Sequence, residues 1–234
     1  MAHYVEHQLY DRLFRPKHKI VVFGPGLSPT TDPSTLYLCS RNTHPQGQII
    51  LVDSQVGDPL NLREKPGYVR RFDELMALKL ESGGEGNAEH HLAEIEAFKH
   101  AHPGLSIRVP RIHLASGFNT NLARGFADRA LNRGSLYWML TKRKDPFQGA
   151  KDAVAEMLGV LKTNGMGIIL NEDEILPDKD VSVKIRAALN HFNVPFSEHE
   201  IQSTPFHVGD IPFEPGYRYR KAFVFAKPKG LVLP

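Results

Sequence analysis

Apolar residues recur along this chain in two rhythms. Short continuous runs, Ile20-Val21-Val22-Phe23 and Ile49-Ile50-Leu51-Val52, alternate with stretches in which apolar residues return every three or four positions. Continuous β-branched runs predict strands buried on both faces; the longer spacing predicts amphipathic helices. Val5, Leu9 and Leu13 predict a helix over 4–14, followed by a strand over 19–23. Asp32-Pro33 is a helix-opening pair, because Asp caps free N–H groups and Pro at the first helical position gives up an N–H that has no partner anyway. That helix runs to Pro45-Gln46-Gly47, and a second strand follows at 48–52.

Residues 54–104 are the least regular part of the chain. A helix is expected at 69–80, and another at 87–101, where Leu92, Ile95 and Phe98 share a face and Pro103-Gly104 ends it. A third strand is expected at 107–114, interrupted by Pro110, and a fourth at 126–132. Ala150, Ala153, Val154, Met157, Leu158 and Leu161 predict a helix over 150–162, stopped by Asn164-Gly165, with a fifth strand at 166–170. Val181, Ile185, Leu189 and Phe192 mark a helix over 179–192. Two strands close the chain, near 195–202 and 219–226, with no helical pattern between them. The alternation predicts an α/β fold with three αβα layers, a mostly parallel seven-stranded sheet and an antiparallel last strand. One domain over 1–234 is expected, with a helical insertion at about 57–104.

Composition adds limits rather than direction. Apolar residues make up 41% of the 234, enough for a full core, and the single cysteine, Cys39, excludes an intramolecular disulfide. On a predicted helix, Cys39 reads as a core residue. Net charge is +3, without the dense positive stripe of a dedicated nucleic-acid binder, although Arg70-Arg71 and Lys142-Arg143-Lys144 form local clusters. No run approaches the ~20 apolar residues of a membrane span, and residues 1–19 lack the apolar core of a signal peptide. The expectation is a soluble cytoplasmic protein with no membrane partner.

Candidate chemistry starts at Gly24-Pro25-Gly26, directly after the first strand. Glycines there let the chain turn sharply and let a ligand approach the backbone. Asp53 ends the second strand, where a carboxylate can accept hydrogen bonds from ribose hydroxyls. A six-position dinucleotide fingerprint is incomplete, because Ser28-Pro29 stands where a later glycine belongs. Asp145-Pro146-Phe147 reads as a helix N-terminus. Of the twelve histidines, those at Glu89-His90-His91 and at His100 and His102 lack the helical zinc spacing, and no metal is expected. His113 and His207 are conceivable general bases if they enter a cleft.

Phe126, Asp128, Trp138 and the run Leu161-Lys162-Thr163-Asn164-Gly165-Met166-Gly167 stand in an order that resembles the class I S-adenosylmethionine-dependent methyltransferases, and the resemblance covers roughly 19–228. It implies an enzyme that uses S-adenosylmethionine. It places Gly24, Pro25 and Gly26 against the methionine part of that cofactor, and Asp53 on the ribose with Ser54 and Gln55 beside it. Ala115 and Ser116 would lie beside the adenine; Asn132 and Arg133 would face the methyl group and the substrate. It singles out no catalytic residue, no acceptor (small molecule or nucleic acid) and no oligomeric state. Two other readings stay open: a non-catalytic binding or scaffold protein on the same fold, and a nucleotide-binding oxidoreductase.

Overall fold

A computed structural model describes residues 3–24, 34–53, 88–133, 136, 140, 144–171, 181–202, 204–213, 221–231 and 233. The strands are β1 (His3–Val5), β2 (Lys19–Phe23), β3 (Gln48–Asp53), β4 (Arg111–Leu114), β5 (Ala127–Arg133), β6 (Leu161–Asn171), β7 (Phe196–Gln202), β8 (Phe206–Val208), β9 (Ile211–Phe213) and β10 (Lys221–Ala226). The helices are α1 (Glu6–Leu13), α2 (Ser34–Arg41), α3 (Ala88–Ala101), α4 (Pro146–Val160) and α5 (Val181–His191).

Eight strands form one sheet in the order β1-β7-β10-β6-β5-β2-β3-β4. All neighbours are parallel except β10, which runs antiparallel between β6 and β7. The seven-stranded pattern with a reversed last strand is therefore present, and the short β1 adds an eighth strand along β7. Three residues of β1 carry too little pattern to be read as a strand, so the expected helix over 4–14 begins only at Glu6. A separate hairpin, β8–β9, lies in the chain between β7 and β10.

Side chains alternate across the sheet with the period of two that a pleated strand imposes. Val21, Phe23, Val52, Ala130, Ile169 and Phe223 face α4 and α5. Ile20, Val22, Leu51, Leu131, Ile168 and Val224 face α1, α2 and α3. β2 and β3 are buried on both faces, which is why they read as unbroken apolar runs. α3 contributes Ile95, which is fully buried, so the end of the expected 57–104 insertion is itself the crossover helix between β3 and β4. The expected helix at 69–80 and the Asp32-Pro33 opening lie outside the described residues.

Three boundaries differ from those the apolar pattern predicted. α4 starts at Pro146, four residues before that pattern and at the helix N-terminus read from Asp145-Pro146-Phe147: Asp145 accepts hydrogen bonds from the N–H groups of Phe147 (2.9 Å) and Gln148 (3.1 Å) and so caps the helix. The same helix ends at Val160, and Asn164-Gly165 does not stop it. Leu161 is already extended, and Asn164 takes its left-handed conformation (φ 63°) inside β6, where it bonds Lys227. The third strand begins only at Arg111: Pro110 cannot donate to a ladder, and residues 105–110 run as coil. Among the described residues, no helix is long and apolar enough to cross a membrane.

Candidate functional site

β2 lies where the sheet order reverses. Its neighbour on one side is β3, then β4; on the other side stand β5 and β6. Crossovers leave such a strand in opposite directions and open a crevice beyond its carboxyl end. Register brings Phe23 level with Val52 of β3 and with Asn132 of β5. The next residue on each strand is Gly24, Asp53 and Arg133, so three of the expected positions reach one edge together. Ala115 follows Leu114, whose register partner is Asp53.

Gly24 turns the chain with φ 57°, a conformation that side chains disfavour, and its N–H bonds the Val52 carbonyl at 2.8 Å. That bond ties the start of the glycine turn to the end of β3. Pro25, Gly26, Ser54 and Gln55 lie outside the described residues, and Asp53 is placed by its backbone.

Asn132 and Arg133 are both buried but point to opposite faces. Asn132 lies on the α4 side, where its Oδ1 accepts the Leu136 N–H at 3.1 Å. Arg133 turns toward α1 and meets Glu6: Nε lies 2.9 Å from Oε1, and the side chains are 1% and 0% exposed. Tyr10 donates its hydroxyl to the same Glu6 oxygen at 2.8 Å. The guanidinium is thus engaged below the edge by the first turn of α1, rather than reaching out over it. Beyond it on β6, buried Asn171 donates to Ser182 of α5 at 3.1 Å.

Ala115 is half-buried against the α4–α5 core, and Ser116 is exposed. Ser116 opens a tight turn, its Oγ accepting the Phe118 N–H and its carbonyl the Asn119 N–H. From here residues 115–126 cross two strands to β5 without a helix. A buried carboxylate holds this loop: Glu156 of α4, 4% exposed, accepts from the Thr120 N–H (2.9 Å) and hydroxyl (2.5 Å) and pairs with Arg124 at 2.8 Å. His113 bonds the Thr120 carbonyl. Gly159 leaves the room in which Arg124 lies; a Cβ there would sit 1.7 Å from its Nη1.

His113 therefore stitches the loop, and His207 is exposed on the β8–β9 hairpin. Cys39 is fully buried, which pushes its thiol pKa well up and leaves it unreactive. Glu6, Glu156 and Asn171 escaped the sequence reading. Polar residues within apolar stretches (Glu156 flanked by Val154, Met157 and Leu158) were the only available signal.

No family model and no curated protein matches the sequence. Solved structures do. A SAM-dependent methyltransferase from Aquifex aeolicus is similar over 97% of this chain and 89% of its own, with TM-score 0.50 and 10% identity. YcgJ from Bacillus subtilis is similar over 96% and 98%, with TM-score 0.52 and 12% identity. A SAM-dependent O-methyltransferase from Thermotoga maritima gives TM-score 0.52 and 9% identity over 95% of this chain, which spans 64% of that protein. This chain has the class I methyltransferase fold. The methyltransferase fold extends across the described sheet, with the reversed β10 in its place between β6 and β7, and β1 is an addition at its edge.

Proposed function

We propose that the protein is an S-adenosylmethionine-dependent methyltransferase. The observation that carries this reading is the convergence of Gly24, Asp53 and the Asn132-Arg133 end of β5 at the switch point of a methyltransferase-fold sheet. The residues present fit the cofactor: a left-handed glycine leaves the backbone open, an acid ends the neighbouring strand, and a buried amide fixed by Leu136 stands one residue short of the end of β5. Gly24, Pro25 and Gly26 would hold the methionine part, Asp53 and Ser54 the ribose, and Ala115 and Ser116 the adenine side. Asn132 would face the reacting end. Arg133 supports it from behind, held by Glu6.

When bound, the cofactor supplies a methyl group already activated on a sulfonium. The chain then has to align an acceptor and exclude water, since positioning alone lowers such a barrier substantially. Asn132 suits that role because its carbonyl oxygen is locked by Leu136 and its plane is fixed.

A thermal-shift panel tests the reading and separates it from its rivals. A ligand at about 100 times its Kd stabilises by about 2.7 kcal/mol, which is roughly 5–11 °C for a domain of this size. S-adenosylmethionine and S-adenosylhomocysteine are expected to raise Tm by several degrees at 1 mM. NADH, NADPH and FAD are expected to leave it unchanged. Stabilisation by a nicotinamide or flavin and not by S-adenosylhomocysteine would overturn the proposal in favour of an oxidoreductase.

A further inference from the structure

The edge opposite the glycine turn carries a concentration of positive charge that the net charge conceals. The chain turns there seven times, in residues 14–19, 41–48, 101–111, 122–129, 160–165, 192–197 and 227–231. These 50 residues hold 11 of the 29 Lys and Arg and one of the 26 Asp and Glu, Asp128. They carry +10 in a protein of net +3, so the remaining residues together carry −7.

Local acids offset little of it. Among the described residues, three carboxylates reach these cations: Asp11 at Arg41 (3.6 Å), Asp128 at Lys162 (2.7 Å) and Glu156 at Arg124 (2.8 Å). Arg15 and Arg108 instead donate to backbone carbonyls, which fix the guanidinium without cancelling its charge. His18 registers the resulting field. Burial, then the charges of Arg129, Arg15 and Lys17, outweigh Asp128 and push its pKa down to about 4.

We infer that this amino edge is a docking surface for the phosphodiester backbone of a nucleic acid. The cations run from β4 to β10, five strand spacings or about 24 Å, a large part of a ~34 Å duplex turn. They sit on a rigid sheet edge. Between β3 and β4, Gln46, Gln48, Arg108 and Arg111 line a polar cleft of about 210 Å³, which offers the amide and guanidinium donors that phosphates accept. The described exposed large apolar side chains, Phe147 and Val183, both lie outside these segments. A stable protein interface would need such anchors, and a lipid surface would favour them. A phosphate backbone needs only cations and donors. The surface lies on the far side of the sheet from the proposed cofactor edge, so it would hold a strand in place rather than present it for reaction.

The test is fluorescence anisotropy of the full chain with fluorescein-labelled 20-base-pair RNA and DNA duplexes, at 50 and 200 mM KCl and without cofactor. Its outcome is thus separate from the methyl-transfer reading. With roughly five phosphates neutralised, the log-log salt slope is about −4.5, an approximately 500-fold loss of affinity over that range. Lys17→Glu/Arg111→Glu/Lys229→Glu reverses three exposed charges on three segments. It is expected to weaken binding at least 30-fold at 50 mM and to flatten the slope by about 3. Lys144→Glu/Lys151→Glu, away from this edge, is expected to bind within twofold of wild type. The single variants Lys17→Glu and Lys229→Glu give the same direction if the triple variant unfolds. Three outcomes would overturn the inference: no binding of either duplex at 50 µM protein and 50 mM KCl, binding that the triple variant retains, or capture by phosphatidylserine vesicles without duplex binding.

Discussion

The Glu6–Arg133 pair joins the N-terminal helix to the centre of the sheet, and its removal has a calculable cost. Both side chains are essentially fully buried, with two contacts at 2.9 and 3.4 Å and a Tyr10 hydroxyl on the carboxylate. Glu6→Ala leaves the Arg133 guanidinium in a low-dielectric site without its carboxylate. Breaking one side of such a pair costs about 3–5 kcal/mol, a large part of the roughly 5–15 kcal/mol that holds a domain folded. At roughly 2–4 °C per kcal/mol for a chain of this size, Tm is expected to fall by about 6–20 °C. Removing both charges is a different perturbation, because an apolar pair of similar volume avoids the desolvation cost. Glu6→Leu/Arg133→Met is therefore expected to recover most of the loss. Calorimetry on the wild type, both single variants and the double variant closes the cycle. A Glu6→Ala protein melting within 2 °C of wild type would refute the reasoning, as would a double variant no more stable than the worse single one.

Three further outcomes are expected. His18, with its folded pKa lowered to about 4, binds a proton more readily when unfolded. Its contribution is complete above the unfolded value near 6.5 and fades as pH falls toward 4; a plot of Tm against pH over that window should flatten in His18→Gln. Glu156→Gln keeps a hydrogen-bond acceptor for Thr120 but removes the charge that Arg124 meets, whereas Glu156→Ala also orphans the buried Thr120 N–H. Urea unfolding should place the alanine variant at least 1 kcal/mol below the glutamine variant. In Gly167→Ala the new Cβ would lie 2.1 Å from the Phe225 ring. A loss of about 1–3 kcal/mol is expected, largely restored by Phe225→Leu, and equal stability would show that the ring moves aside freely.

The fold was legible where burial writes itself into one dimension. β2 and β3 are unbroken apolar runs because helices cover both their faces, and α4 and α5 repeat apolar residues at helical spacing because each buries one stripe. Boundaries departed from the apolar pattern where a local polar bond decides them. The Asp145 cap, legible in Asp145-Pro146-Phe147, starts α4 ahead of its apolar face, whereas the left-handed Asn164 belongs to a bulged strand although its sequence is that of a helix stop. β1 was invisible because three residues gain their hydrogen bonds from β7, nearly two hundred positions away. The site followed the same division. Gly24 and Asp53 were readable as the ends of strands, and the register that brings them level with Arg133, the last residue of β5, agrees with that order. Arg133 reached the expected edge, but its partner Glu6 is 127 residues distant, and no periodicity links the two. The positive amino edge was hidden for a related reason: its charges come from six separate segments, each too short to register as a cluster in the sequence.

The central claim is the cofactor edge, and isothermal titration calorimetry with S-adenosylhomocysteine tests it most directly. Wild-type protein is expected to bind one equivalent with a Kd in the micromolar range. Asp53→Ala is expected to bind at least tenfold more weakly, the loss of about 1.4 kcal/mol or more that a charge-assisted hydrogen bond contributes. Absence of binding at millimolar ligand, or equal affinity in wild type and Asp53→Ala, would contradict it.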